Sequence, residues 1–184
     1  GLPGAFAPDA APVDDAKRFE LIAPALNEAI ENCIAMRRTE GDATARHINA
    51  LIDGLDACRS AIEQRAPDAM NAAVNRWRER VGALLAAVGG ADLAAENVER
   101  EIVLIADRCD ISEELARLGS HLAQFRSTLS TDGEVGKKLS FIAQEFLREV
   151  NTIGSKANDA AIIERVIEAK TTIEKIKEQV ANIE

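Results

Sequence analysis

Apolar residues recur along most of the chain at steps of three and four, which is the spacing of an amphipathic α-helix. From about Lys17 to about position 65 this spacing continues with few breaks, and it predicts one long first helix. Pro67-Asp68 predicts the end of that helix, because proline interrupts helical hydrogen bonding and aspartate is a good N-cap. Two further helices are predicted next, at about 68–88, ending at Gly89-Gly90, and at about 93–108.

The second half of the chain shows the same period with clearer boundaries. Asp110-Ile111-Ser112-Glu113 has the form of a capping box, and it opens a helix whose apolar stripe runs to Leu129. Thr131-Asp132-Gly133 ends this helix, and another is predicted from about 135 to 153. Asn158-Asp159 is predicted to cap a last helix that runs to the C-terminus.

The last predicted helix carries a heptad seam, in which apolar residues alternate at steps of three and four. The seam residues are Val166, Ala169, Ile173, Ile176, Val180 and Ile183. They pack either inside the chain or against a second copy of it, and the pattern does not decide between the two. Since no segment alternates with the period of a strand, the predicted class is all-α. We expect an elongated bundle of about five to six helices with a long first helix.

The N-terminal segment differs from the rest of the chain. Residues 1–14 contain three of the five prolines among glycine and alanine, which predicts a linker at the end of a preceding domain, followed by a helical domain over 15–184. No run of about 18 uncharged apolar residues is present, so no membrane contact is expected. Three cysteines without a CxxC pair favour reduced thiols, and hence the cytoplasm, over a zinc site.

The chain is acidic, with a formal net charge of −9 from 22 basic and 31 acidic residues. The excess is confined to residues 1–135, because residues 136–184 contain eight of each sign. A chain with this charge has no overall attraction for a polyphosphate. Any binding of RNA or DNA must therefore depend on local basic groups or on cations held by carboxylates.

Two helices carry polar residues that a plain solvent-facing surface does not require. On the helix at 111–129, Glu114, Arg117 and His121 share one face beside the leucine stripe. An imidazole beside a carboxylate can bind a metal or transfer a proton. The alternative is an ion pair between glutamate and arginine, together with a histidine that packs at the edge of the core.

The helix at 135–153 has an apolar arc and an opposite arc of hydrogen-bonding side chains. The polar residues are Gln144, Glu145, Arg148, Glu149, Asn151, Thr152 and Ser155, with Phe141 projecting among them. Glu145 and Glu149 are four residues apart and can hold one divalent cation, while Arg148 can bind a phosphate through two hydrogen bonds. The alternative is a buried polar interface between helices or subunits.

These blocks resemble the C-terminal region of the YicC/YloC family of bacterial proteins. The run from Gly136 to Lys156 carries most of the resemblance, together with the end of the last helix from Lys177 to Glu184. The block from Glu101 to His121 is similar to an upstream block of that family. Thr39-Glu40-Gly41 and Leu2-Pro3-Gly4 extend the similarity faintly toward the N-terminus.

The resemblance implies a metal-dependent endoribonuclease of the bacterial cytoplasm that assembles as a homohexamer. Family members carry another domain before the Leu-Pro-Gly segment, so this chain corresponds to their helical C-terminal portion. Under this hypothesis RNA is the substrate, and Mn²⁺ or Mg²⁺ is the cofactor. The expected metal-binding and catalytic residues are Glu114, His121, Glu145 and Glu149. The expected RNA-binding and phosphate-binding residues are Arg117, Arg148, Asn151, Ser155 and Lys156.

Two other hypotheses remain open from the sequence. The chain can be a helical module for oligomerisation or RNA binding without catalysis of its own, with its polar residues forming a seam between subunits. It can also be an adaptor that presents RNA to another nuclease. Loss of activity in an intact Glu149→Ala protein would favour the enzyme, whereas loss of the assembly would favour the structural module.

Overall fold

The computed structural model describes residues 15–87, 95–131 and 133–183. These residues form five α-helices and no strand, which confirms the all-α class. The helices are α1 (Asp15–Ala87), α2 (Ala95–Cys109), α3 (Ser112–Leu129), α4 (Gly136–Lys156) and α5 (Ala160–Val180). The predicted linker at 1–14 and the predicted turn at Gly89-Gly90 lie outside the described residues.

The predicted break at Pro67 is wrong, because α1 continues through this residue to Ala87. A proline inside a helix leaves the carbonyl four residues earlier without its hydrogen bond. Here that residue is Glu63, and both Glu63 and Pro67 are exposed, so water can reach the freed carbonyl. The two helices expected on either side of Pro67 are therefore one helix of 73 residues.

The chain divides into two compact units at Thr44. The described part of the first unit, residues 15–44, is a stretch of helix α1 in which nearly every side chain is exposed. Its exposed residues include seven large apolar ones: Phe19, Leu21, Ile22, Leu26, Ile30, Ile34 and Met36.

The second unit, residues 45–184, contains the hydrophobic core. Helix α4 packs against both α3 and α5, and the segment 48–62 of α1 adds five buried residues. Phe125 of α3 and Phe146 of α4 are fully buried, and their ring centroids are 5.5 Å apart. The apolar stripes predicted for these helices are therefore the surfaces that form the core.

The heptad seam of α5 packs inside the chain. Val166, Ala169, Ile173, Ile176 and Val180 are at most 3% exposed, and Ile183 is partly buried against the same core. Gly154 of α4 permits a close approach here, since a Cβ atom at this position would lie 3.0 Å from Cγ1 of Val166. This seam consequently offers little surface to a second copy.

Local hydrogen bonds set the starts of two helices. The carboxylate of Asp159 accepts hydrogen bonds from the backbone N–H groups of Ala161 and Ile162, which confirms it as the N-cap of α5. The capping box at the start of α3 is wrong, because Ile111 occupies the N-cap position and no side chain caps the helix. Asp110 instead accepts hydrogen bonds from the N–H and hydroxyl groups of Ser112.

None of the helices in the described ranges combines the length and the apolar character required to cross a membrane.

Candidate functional site

The polar residues of α3 and α4 meet where the two helices pack together. On α3, the buried stripe Leu118, Leu122 and Phe125 faces α4, and His121 lies beside this stripe and is partly buried. On α4, the buried Phe146 and Val150 occupy the facing arc and are flanked by Glu145 and Glu149. Packing of the apolar stripes therefore brings a histidine and two carboxylates to one edge of the interface.

His121, Glu145 and Glu149 form a compact group, which we call the HEE cluster. Each side chain offers a ligand atom, and these three atoms lie within 4.8 Å of one another. It is the only such group of three or more that the described part of the chain provides. The structure thus brings together three of the four residues that the sequence analysis expected to bind a metal, without Glu114.

Glu149 is the most unusual member of the cluster, because its side chain is a carboxylate with only 3% of the residue exposed. It forms no hydrogen bond or ion pair with any of the residues that the structure describes. In the described part of the chain, Oε2 of Glu114 is the only fully buried side-chain oxygen without a hydrogen bond, so the carboxylate oxygens of Glu149 keep some contact with water. A cation bound at the cluster would supply the missing partner.

The donor set fits a divalent cation. Carboxylate oxygens are preferred ligands of Mg²⁺ and Mn²⁺, and imidazole nitrogen extends the set toward Mn²⁺ and other transition metals. Bonds of about 2.1 Å place two opposite ligand atoms about 4.2 Å apart. Because the cluster atoms are within 4.8 Å, only small side-chain movements separate this arrangement from a coordinating one.

Glu114 was expected in the same site, but the structure places it elsewhere. Its Oε1 atom accepts a hydrogen bond from Nζ of Lys156 at 2.7 Å, and its Oε2 atom is buried without a hydrogen-bond partner. Lys156 also donates to the backbone carbonyl of Asp110. Glu114 and Lys156 therefore form an ion pair between α3 and α4 that is separate from the HEE cluster.

The other expected RNA-binding residues differ in their exposure and in whether their side chains already have partners. Arg148 is 72% exposed, and its guanidinium lies 3.5 Å from a carboxylate oxygen of Glu145, at the margin of the cluster. Arg117 pairs with Glu113 rather than with Glu114. Ser155 donates its hydroxyl to the carbonyl of Thr152, and Asn151 is exposed.

Phe141 is exposed in the structure, and the sequence had assigned no role to it. This residue is 60% exposed, and it lies on the same helix as Glu145 and Glu149. The sequence placed Phe141 among polar residues, but the pattern could not show how much of its side chain stays exposed.

Comparisons with known proteins identify the family of this chain. The family profile described as "Endoribonuclease YicC-like, C-terminal" matches residues 62–184. A Clostridioides difficile protein named "Probable endoribonuclease YicC" is 33% identical over 183 residues, covering 96% of this chain and 61% of that protein. A Haemophilus influenzae protein of the same name is 36% identical over 163 residues, covering 87% of this chain and 54% of its own length.

The chain thus spans between about half and three fifths of the length of these two relatives. The profile match covers α2 to α5, the end of α1 and all three residues of the HEE cluster. These matches confirm the resemblance that the sequence blocks indicated. The chain belongs to the YicC-like endoribonuclease family and matches its C-terminal region.

Proposed function

We propose that this chain provides the metal site of a metal-dependent endoribonuclease, which hydrolyses phosphodiester bonds in RNA. The observation that carries the proposal is the HEE cluster, in which a nearly buried carboxylate without a partner lies beside a second carboxylate and an imidazole. The names of the two relatives support the same activity. The proposal extends that activity to this chain and adds the cation.

His121, Glu145 and Glu149 would hold the cation, which is Mn²⁺ or Mg²⁺. When bound, such an ion lowers the pKa of a coordinated water and stabilises charge on a phosphoryl oxygen. The protein holds the donor atoms in place because both helices are packed through the core. Since Glu114 is already paired with Lys156, its part is to position the ends of α3 and α4 rather than to bind the ion.

Arg148 is the residue best placed to hold the RNA backbone near the cluster. Its guanidinium is largely exposed and offers hydrogen bonds in the fork geometry that matches a phosphate. Asn151 and Ser155 follow on the same exposed side of α4, where they can orient the ribose 2′-hydroxyl. Arg117 and Lys156 have acidic partners already and would contribute charge at a greater distance.

The proposal also includes a cytoplasmic protein that associates with itself, as a homohexamer in the longer form. The seven exposed apolar residues between Phe19 and Met36 support self-association, because apolar surface of this kind is normally covered by a partner. Light scattering coupled to size-exclusion chromatography measures the state of this chain directly.

The decisive experiment combines cation binding with RNA cleavage. Isothermal titration calorimetry of the chain with Mn²⁺ and with Mg²⁺ is compared for the wild type, Glu149→Gln and Glu164→Gln. Glu164 is an exposed carboxylate on α5 and provides the matched control. We expect one binding site in the wild type and in the control, with affinity reduced at least about tenfold in Glu149→Gln, as is typical when a metal site is perturbed.

The same three proteins are then incubated with a labelled structured RNA, with Mn²⁺ or with EDTA. Cleavage that requires the ion and is lost in Glu149→Gln supports the enzyme. Cleavage that persists in EDTA excludes the metal mechanism. Cation binding with no cleavage by highly purified chain favours the module without catalysis, and loss of the assembly in Glu149→Gln favours a structural seam.

A further inference from the structure

Phe141 is an exposed aromatic ring on a helix whose apolar surface is already complete. The apolar arc of α4 is buried through Leu139, Ile142, Phe146 and Val150. Phe141 lies on the opposite, polar side and remains 60% exposed. Its ring therefore adds little to the packing of the described chain. A single exposed apolar residue is common on protein surfaces, so its surroundings decide whether it has a role.

An open groove of about 350 Å³ lies beside the ring. Lys137, Ser140 and Gln144 of α4 line it together with Phe141. The other wall is formed by Val180 at the end of α5 and by Ala181 and Ile183 after it. The groove thus combines a flat aromatic face with an ammonium, a hydroxyl and an amide. This is a typical composition for binding a planar polar ring attached to a negatively charged chain.

The charges along this part of α4 favour an anionic partner. The first turn of α4 contains Lys137 and Lys138 and no acidic residue. Neither lysine forms an ion pair with any residue in the described ranges. Farther along the exposed side lies Arg148, which is 72% exposed although it also pairs with Glu145 at 3.5 Å. Positive groups therefore precede and follow Phe141 on one helix, although the chain as a whole is acidic.

The groove is adjacent to the HEE cluster. Phe141 precedes Glu145 by four residues, which is one helical turn or about 6 Å along the axis. Lys137, Phe141, Glu145 and Arg148 therefore share one side of α4. Phe141 therefore lines the groove and also lies one helical turn from Glu145 of the cluster.

We propose that Phe141 is a stacking platform for a nucleobase of single-stranded RNA, with Gln144 at the edge of the base and Lys137 at the adjoining phosphate. This inference rests on the proposed function, because it names the part of the substrate that lies next to the cluster. Aromatic side chains bind bases of any sequence through their π-faces, and nearby cations bind the backbone. An unpaired nucleotide held here would place a neighbouring phosphate toward His121, Glu145 and Glu149.

The test measures binding of a short fluorescent oligouridylate to the chain in EDTA at low ionic strength, so that cleavage does not interfere. We expect Phe141→Ala to weaken binding on the order of tenfold, as is usual for loss of one base–aromatic stack. Phe141→Tyr, which keeps the ring, restores most of the affinity. Ile167→Ala removes an equally exposed apolar side chain from α5 and has no effect.

A second measurement detects the stack itself. Trp77 is the only tryptophan of the chain, so Phe141→Trp in a Trp77→Phe background places the single indole at the platform. We expect quenching of its fluorescence by oligouridylate but not by an abasic oligonucleotide of the same length. Equal affinity of wild type and Phe141→Ala, absence of quenching, or no binding of oligouridylate by the wild type would each overturn the proposal.

These results remain separable from those of the cation site. Phe141→Ala leaves Mn²⁺ affinity unchanged, because none of the cluster ligands is altered. Quenching without any cation binding would retain the platform and reject the metal mechanism. Cation binding that is sensitive to Glu149→Gln, combined with no dependence on Phe141, would retain the metal site and reject the platform.

Discussion

Lys156, at the end of α4, places its ammonium nitrogen 2.7 Å from Oε1 of Glu114, in the first turn of α3. The side chain of Glu114 is only 7% exposed, and its second carboxylate oxygen is buried without a hydrogen-bond partner. The same ammonium group also holds the carbonyl of Asp110 at 3.0 Å. One lysine therefore stabilises both a buried charge and the backbone that leads into α3.

Replacing Lys156 by methionine should destabilise the fold by about 2–3 kcal/mol, because it leaves the Glu114 carboxylate buried and unpaired. The cost is below the usual range for fully buried pairs since Lys156 is 32% exposed and water can enter. Urea unfolding followed by circular dichroism measures the change. The double variant Glu114→Leu/Lys156→Met removes both charges and should recover most of the loss. A change below about 0.5 kcal/mol in Lys156→Met would contradict this account.

Gly154→Ala should destabilise the protein although alanine is the better helix former. In an unobstructed helix interior this change stabilises by about 0.5–1 kcal/mol. Here the added methyl group would lie 3.0 Å from Cγ1 of Val166, so the packing of α4 on α5 must shift, at a cost of about 1–2 kcal/mol.

Thermal unfolding of Gly154→Ala is compared with that of Gly54→Ala, where no atom lies within 4 Å of the new Cβ. The control should become more stable. Combining Gly154→Ala with Val166→Ala removes the close contact and should be less harmful than the sum of the two single changes. A stabilised Gly154→Ala protein would show that α5 moves away freely.

The stability of the start of α5 should depend on pH through Asp159. A hydrogen bond from Arg65 lowers the pKa of this carboxyl, burial opposes the shift, and hydrogen bonds from the backbone of Ile162 and Ala161 lower it further. A carboxylate with a lowered pKa in the folded state contributes stability above its unfolded pKa, near 3.9. That contribution is lost as the pH falls through the lower, folded value.

Asp159→Asn keeps the N-cap but removes the charge, so it isolates the pairing with Arg65. We expect it to cost about 0.5–1 kcal/mol at neutral pH, with the deficit shrinking as the pH falls below about 4. Denaturant melts at a series of pH values measure this. Asp68→Asn is the control, because Asp68 also pairs with Arg65 but is 71% exposed. A deficit that does not change with pH would exclude the charge as its source.

Mn²⁺ should raise the melting temperature by about 5–10 °C at a hundredfold excess over its dissociation constant, because it binds the folded state alone. EDTA should reverse the shift. His121→Ala should abolish it, while leaving the melting temperature of the metal-free protein within a few degrees of the wild type. An equal shift in His121→Ala would place the ion elsewhere. Differential scanning fluorimetry is sufficient for the comparison.

The sequence predicted the packed half of the chain well because there the periodic positions are also the buried ones. The seam of α5 and the stripe of α3 from Leu115 to Phe125 lie in the core as the spacing indicated. The predicted helix end at Pro67 was wrong because the free-energy cost of a proline inside a helix depends on whether water can bind the freed carbonyl. That depends on the exposure of this part of the helix, which the sequence does not show. The predicted capping box at Asp110 was wrong because the Asp110 carboxylate accepts hydrogen bonds from the N–H and hydroxyl groups of Ser112.

The candidate site was predictable only in part. The spacing of Glu145 and Glu149 places them on one side of a helix, and their approach to His121 follows from the packing of two apolar stripes. The position of Glu114 did not follow, since its partner Lys156 is 42 residues away and belongs to another helix. Which of several nearby charged groups form an ion pair is decided by how the helices pack, not by their spacing along the sequence.

The ring contact between Phe125 and Phe146 joins the two helices that carry the HEE cluster, and each ring is within four residues of a cluster side chain. No loop contributes to the three donor groups. The backbone positions that carry them stay together as long as α3 and α4 stay packed, so fraying at the chain ends would leave the site intact. The capacity to bind a cation there should therefore be lost in the same cooperative transition as the fold, with a thermal midpoint equal to that of helix unfolding.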